Sequence, residues 1–186
     1  MRNRYIHHIN KLALVCGLLI FASSCKYKEI VEASYPDQKV YFPAAREGRF
    51  IINTVAEPGK PYRYVVDAGT KKFNVPLSVF RGAVNNSGAF SVNIHADNDT
   101  INSLITDGTL LNTVLLPADQ YIIPASVDMA NGAELASFTI SINLDYLVAN
   151  PGTQKAICLR LSGGNITTNP AMDKLIVIID PAVLNP

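Results

Sequence analysis

Tryptophan is absent from this sequence, and cysteine and histidine occur three times each. Without tryptophan, any aromatic surface for stacking on sugar C–H faces falls to tyrosine and phenylalanine. The scarcity of cysteine limits disulfides, and the scarcity of histidine limits acid–base and nucleophilic chemistry. Beyond the N-terminus no apolar run approaches the roughly 20 residues of a helical membrane span. The longest, Leu175 to Ile179, is strand-sized. An excess of one charge is missing too: 16 basic residues stand against 15 acidic ones. Nucleic acid calls for a basic face, so this balance excludes it as a partner.

What is present begins with a secretory signal. Arg2, Arg4 and Lys11 form a positive start, Leu12 to Ala22 an apolar stretch, and Ser23 and Ser24 lead to Cys25. The apolar stretch is too short to span a membrane and suits export. A cysteine at that junction is the lipid-attachment residue of a bacterial lipoprotein, its thiol carrying a diacylglycerol. One acyl chain anchors weakly and two anchor stably, since each buried methylene adds about 0.8 kcal/mol. The expected divisions are residues 1–24 as signal, 25–37 as tether and 38–186 as one domain. Removing the signal leaves 13 basic against 15 acidic residues. Cys16 leaves with the signal and Cys25 takes lipid, so Cys158 has no disulfide partner and is expected to be a buried structural thiol. Surface- and periplasm-facing orientations at the outer membrane are both compatible with Lys26-Tyr27-Lys28 after the lipid residue.

Past the tether the sequence alternates apolar and polar residues. Phe73, Val75, Leu77 and Val79 share one side of a run. Phe90, Val92 and Ile94 share another, as do Phe138, Ile140, Ile142 and Leu144. A period of two marks strands with one buried face. Val40 to Phe42, Phe50 to Val55, Tyr62 to Asp67 and Lys155 to Leu161 read as further strands. Leu175 to Ile179, apolar on both faces, reads as a central one. Pro76 places its strand at an edge or a bulge. Helix signals are confined to Thr100–Ile105 and Asp145–Val148. The expected fold is all-β, an immunoglobulin-like antiparallel Greek-key sandwich of about seven to nine strands. Leu115 to Ile123 matches a tyrosine corner, in which the Tyr121 hydroxyl would return to a backbone group a few residues upstream.

Several of these segments together resemble a known family. Val40-Tyr41-Phe42-Pro43 is similar to its opening strand, and Leu116-Pro117 with Tyr121 to its central element. Gly132 before the Phe138 strand fits its next stretch. Lys155 to Leu161, Gly163-Gly164 and Asp173 to Ile179 are similar to its closing pair. The resemblance is to the domain-of-unknown-function family numbered seventeen thirty-five, the N-terminal domain of surface lipoproteins in glycan-utilisation operons. It covers roughly residues 36–182. It implies an immunoglobulin-like sandwich with no catalytic motif and no cofactor. Members often carry a further carbohydrate-binding or catalytic domain, for which this sequence, ending at Pro186, leaves no room.

Candidate sites are few. A cysteine or serine nucleophile would need His95, which falls on the polar side of the Phe90 strand beside no nucleophile motif. Asp97, Asp99, Asp107, Asp119 and Glu134 offer carboxylates for glycoside hydrolysis, but no spacing selects a pair. Asp97-Asn98-Asp99 reads as a turn cap, since the glycine and glutamate of a calcium loop are out of register. Gly163-Gly164 is not a phosphate loop, because no helix follows it. No catalytic residue, metal or cofactor is expected. Tyr62 and Tyr64, two apart and so on one face, form a candidate glycan platform or part of the core face. Asp99-Thr100-Ile101 matches a short O-glycosylation acceptor at Thr100. The expected function is a non-enzymatic, lipid-anchored accessory module for glycan capture, with polysaccharide or an outer-membrane uptake complex as partner. The alternative is a structural or adhesive protein that binds other proteins by strand-edge contacts.

Overall fold

Strict alternation builds the first sheet. In the strand Lys72–Gly82 (β4), Phe73, Val75, Leu77 and Val79 are buried and Pro76 is exposed. In Leu135–Asn143 (β9), Ala136, Phe138, Ile140 and Ile142 are buried while Leu135, Ser137 and Thr139 are exposed. The two strands pair antiparallel from Lys72↔Asn143 to Phe80↔Leu135. In the computed structural model, which describes residues 37–55, 63–164 and 166–184, this pair forms the centre of a sheet. Lys39–Tyr41 (β1) and Thr167–Thr168 (β11) extend it beyond β4, and Tyr121–Ile122 (β7) lies beyond β9. Val65–Asp67 (β3) pairs with the start of β4. The signal, Cys25 and most of the tether lie outside the described residues.

The second sheet runs Arg49–Ile52 (β2), Lys174–Ile179 (β12), Gln154–Ser162 (β10), Phe90–Ala96 (β5) and Ser126–Met129 (β8). Thr113–Leu115 (β6) also pairs with β10. β12 is central, as its two apolar faces require. Val40, Val75, Val79, Ile140, Ile157, Leu159, Leu175 and Val177, all buried, belong to one apolar cluster shared by the two sheets. Burying one such side chain contributes about 1.5–3 kcal/mol. The chain passes repeatedly between the sheets, among other places from β1 to β2, from β4 to β5 and from β9 to β10, and the result is an all-β sandwich of two sheets.

A second, smaller cluster lies on the other side of the second sheet. Ile101 and Leu110 pack there with Ala156, Cys158 and Ile178. Ile101 comes from the helix Asn98–Thr106 (α1), for which Asp97 is the N-cap. Its Oδ1 accepts from the Thr100 N–H at 3.1 Å, and its Oδ2 accepts from the Thr100 hydroxyl at 2.8 Å. After α1, Gly108 takes φ 77°, and the Leu110 N–H returns to Leu104 O at 2.9 Å. A side chain at position 108 would be strained by that backbone. This turn puts Leu110 under the helix.

The differences from expectation have physical causes. Twelve strands are present among the described residues, and the surplus strands are only two to four residues long. Segments that short hold too few residues to show a period. Three pairings are parallel, β1–β11, β2–β12 and β6–β10. β2 ends at Ile52 and β3 starts at Val65, both shorter than expected. Leu144 opens the helix Leu144–Ala149 (α2), capped by Asn143, and does not continue β9.

Candidate functional site

β1 accompanies β4 for three residue pairs, Lys39↔Gly82 to Tyr41↔Phe80, and then leaves. Phe42 is fully buried, and its N–H donates to Met172 O at 3.0 Å. Pro43 opens a 3-10 turn, Pro43–Glu47, that ends at Gly48 with φ 78°. The chain then joins the other sheet as β2. β3 covers only Lys72 to Asn74 of β4. The stretch from Val75 to Val79 therefore has no neighbour on that side among the described residues.

The vacated side is a groove of about 710 Å³, walled by the 3-10 turn, by Arg49 to Ile51 and by Pro76 to Ser78. The alternation of the strand fixes which backbone groups face it. The Arg81 N–H points to β9, donating to Glu134 O at 2.8 Å. Odd-numbered residues of β4 thus face β9 and even-numbered ones face away. Pro76 aims its nitrogen, which carries no hydrogen, at the unpaired side, so the β4–β9 ladder loses nothing. Pro76 was expected at an edge or bulge; it sits instead in an inner strand, at the stretch where that strand lacks a second neighbour. The Pro76 carbonyl and the Ser78 N–H and carbonyl remain as edge groups. Arg46 is exposed and Arg49 half-buried on the groove wall, and neither side chain has a hydrogen-bond or ion-pair partner among the described residues. Glu47 shares that wall. At the far end of β2, the buried Arg63 donates to Ile51 O at 2.6 Å, Asn53 O at 3.0 Å and Val55 O at 2.6 Å.

An aromatic row adjoins the groove on the solvent face of the first sheet. Tyr41, Phe80 and Leu135 lie side by side on β1, β4 and β9. The Tyr41 and Phe80 rings are 5.3 Å apart and tilted by 45°. Both are half-exposed, and Leu135 is 52% exposed. Gly82 makes room for the tyrosine: a Cβ there would stand 3.2 Å from Tyr41 Cε1. Phe80 and Ser78 share a face of β4, about 7 Å apart, so the row continues into the groove. An apolar ring surface beside a groove that holds two unpaired guanidiniums, one edge N–H and two edge carbonyls can take a ligand with C–H faces and polar groups.

The residues singled out from sequence are scattered. Tyr62 lies outside the described residues. Tyr64 precedes β3, stacks on Phe73 at 4.8 Å and 15°, and sends its hydroxyl to Val183 O at 3.4 Å. One face of that ring is thus held by the sandwich. Thr100 is half-buried in α1, and its hydroxyl, donated to Asp97, also accepts from Lys174 Nζ at 3.1 Å. Thr100, matched in sequence to a short O-glycosylation acceptor, has its hydroxyl in the hydrogen bonds of the α1 cap. Asp97, expected as a turn cap, is a helix cap. Its burial alone would raise its carboxyl pKa, but the two Thr100 hydrogen bonds and the charges of Lys174 and Arg160 outweigh that and lower it. Lys174 Nζ stands 3.5 Å and Arg160 Nε 3.7 Å from its Oδ2.

Tyr121 opens β7 after the 3-10 turn Ala118–Gln120, as a tyrosine corner would place it, and packs against the core. The expected return of its hydroxyl to upstream backbone is absent among the described residues. The corner is held instead by the Gln120 N–H on Pro117 O at 3.0 Å and by Asn143 Nδ2 on Gln120 Oε1 at 3.0 Å. Burial raises the Tyr121 phenol pKa. His95 is exposed on β5, its Nδ1 3.4 Å from Ser162 Oγ, with no carboxylate hydrogen-bonded to it among the described residues. Cys158 is fully buried and unpaired, and burial pushes its thiol up to about 11. No group of three or more His, Cys, Asp or Glu side chains suited to a metal occurs among the described residues.

The sequence reading missed Tyr41, Phe80, Arg46 and Arg49. For Phe80 the signal existed: it is one position out of phase with Phe73, Val75, Leu77 and Val79, and so points to solvent. Two other cations escaped notice because they are buried. Arg81 Nη1 donates to Asn86 O and, at 3.3 Å, to Ser87 O; Nη2 donates to Gly88 O at 3.0 Å and Ala130 O at 2.9 Å. Its guanidinium lies 4.5 Å from the Phe90 ring centre. Lys155, 1% exposed, donates to Thr153 O at 2.9 Å and Thr153 Oγ1 at 2.5 Å, and burial lowers its pKa.

A family model described as "-like, N-terminal domain" matches residues 35–167. No curated protein matches the chain. Among solved structures, a candidate carbohydrate binding protein from Bacteroides ovatus aligns with a TM-score of 0.54 at 13% identity, over 76% of this chain and 36% of its own. A two-domain protein of unknown function from Bacteroides fragilis aligns at 0.51 and 9% identity, over 77% of this chain and 45% of its own. A multidomain protein from Bacteroides ovatus that includes DUF1735 aligns at 0.49 and 20% identity, over 76% of this chain and 44% of its own. This chain spans less than half the length of each. At these identities the likeness is one of fold.

Proposed function

Because the chain belongs to that family of N-terminal domains, matched over residues 35–167, we propose that it is a non-enzymatic binding module of the cell envelope, accessory to glycan capture or uptake. Its place is the outer membrane, through lipid on Cys25, and its family is the one numbered seventeen thirty-five that the Val40–Pro43 and Asp173–Ile179 segments resemble. The observation that carries the reading is the Tyr41–Phe80 row beside the groove. Half-exposed rings on a rigid sheet offer a stacking surface at little conformational cost, and the Ser78 N–H, the Pro76 and Ser78 carbonyls and the guanidiniums of the groove supply the few directed hydrogen bonds that fix a sugar's orientation. A candidate carbohydrate binding protein shares the sandwich fold, which supports the reading. Native affinity gels cast with mixed polysaccharides test it. The full chain should be retarded, and Tyr41→Ala/Phe80→Ala should run freely while melting at nearly the same temperature. Free migration of the unaltered protein in every gel would sink the proposal. For the anchor, a clickable fatty acid fed to the host should label the protein, and Cys25→Ser should abolish the label; a label that survives excludes Cys25.

A second reading, docking by strand addition, has its own observation. No described strand pairs with the outer side of β9 from Leu135 to Ile140. Ser137 and Thr139 aim their amides there, so an extended peptide could add to this edge. Ser137→Pro would remove one donor. Partner capture from host membranes that this variant leaves unchanged would exclude β9 as the edge.

A further inference from the structure

We infer that the groove takes an acidic carbohydrate, one whose sugar units carry carboxylates; this rests on the glycan reading above. Five arginines lie among the described residues. Arg63 and Arg81 are spent on backbone carbonyls inside the fold. Arg160 faces Asp97. Arg46 and Arg49 are the remaining two, unpartnered among the described residues and lining the same groove. A planar guanidinium with free N–H groups matches a carboxylate by two parallel hydrogen bonds, and charge assistance makes those bonds stronger than neutral ones. With Glu47 on the same wall the two guanidiniums still leave an excess of positive charge, which complements a chain with repeated carboxylates better than a neutral sugar.

The backbone on the floor of the groove favours carbohydrate over an acidic peptide. A peptide adding a strand here would need donors and acceptors at regular spacing. Pro76 removes the donor at its position and guards the stretch against pairing. Ser78 is left with the single N–H facing the groove between the segments that β3 and β1 cover. Sugar hydroxyls can use one isolated donor and two carbonyls without a ladder. The Tyr41 and Phe80 rings next to Ser78 offer a surface for sugar C–H faces that a peptide backbone does not need.

The test uses the full chain on affinity gels and by calorimetry, with polygalacturonate as acidic glycan, dextran as neutral glycan and poly-L-glutamate as acidic peptide. Polygalacturonate should bind best, and added salt should weaken it. Arg46→Gln/Arg49→Gln should lose about tenfold or more in affinity, the scale of one lost charge-assisted contact, with an unchanged melting temperature because neither side chain holds the fold. Arg46→Lys/Arg49→Lys should recover part of the loss. Dextran bound as well as polygalacturonate would overturn this inference and leave the glycan reading standing. Poly-L-glutamate bound as well as polygalacturonate would overturn it in favour of peptide. Binding of no glycan would end both.

Discussion

The two sheets share one interior and differ on their outer faces. Over β10 and β12 the second sheet is covered outside by α1, and five consecutive residues of β10, Lys155 to Leu159, are buried. The outer face of the first sheet has no such lid among the described residues, and β4 and β9 alternate in and out almost without exception. Cover leaves the β10–β12 part of the second sheet a stabilising element, and what that sheet lends the groove comes from its edge strand β2, Arg49 to Ile51. The uncovered sheet keeps half-exposed rings and edge groups in reach of one. In this sandwich stability and recognition are assigned to different faces.

Substitutions on the two outer faces should therefore behave differently. The largest effect is expected at Ile101, which is fully buried under the covered face. Ile101→Ala should cost about 3 kcal/mol in urea unfolding, whereas Leu135→Ala on the open face should cost under about 0.5 kcal/mol. Equal costs would break the contrast.

Next is alkaline pH. The Cys158 thiol lies beneath the lid with its pKa raised from 9.0 to about 11. A raised folded value means full stability below the unfolded value and progressive loss as pH climbs between the two. The urea midpoint should fall from about pH 9 upward, and Cys158→Ala should flatten that part of the decline. An unchanged slope would remove Cys158 as its source.

Asp97 acts at the acid end. Its lowered pKa gives the opposite sign: stability is present above the ordinary carboxyl value of 3.8 and is lost as pH falls through the depressed one. Asp97→Ala should cost about 1 kcal/mol at neutral pH as a lost cap and should reduce the acid sensitivity. A variant as stable as the parent would mean that the lid is held by Ile101 and Leu110 alone. The smallest effect is expected at Gly82. Gly82→Ala is crowded by the movable Tyr41 ring at 3.2 Å and meets the Lys39 carbonyl at an ordinary 3.8 Å, so melting should shift by no more than about a degree. Glycan retention should drop because the ring is displaced.

Much of this was legible in the sequence. Alternation marked β4, β5 and β9 because each has one wet face over many residues. The doubly apolar run Leu175 to Ile179 marked a central strand, and the signals at Thr100–Ile105 and Asp145–Val148 fell inside the two helices. The lone Cys158 was rightly read as buried. The site was far less legible. Tyr41 and Phe80 are thirty-nine positions apart in the chain and meet only through β1–β4 pairing, while Tyr62 and Tyr64 drew attention because they are near neighbours. Arg46 and Arg49 gain their meaning from the absence of partners, which no sequence pattern displays. Tyr121 took its expected place, but the bond that would define the corner depends on a distance that only packing sets.

The crossing from β1 to β2 has a consequence for how this domain can diversify. The 3-10 turn Pro43–Glu47 forms a wall of the groove and contributes only Ala45 to the buried set. Its length and side chains can change while the β4–β9 ladder beneath stays as it is. A crossing longer or shorter by a residue or two would reshape the mouth over an unaltered floor. The turn is thus an interchangeable part, through which one sandwich can be fitted to different ligands at small expense to its folding.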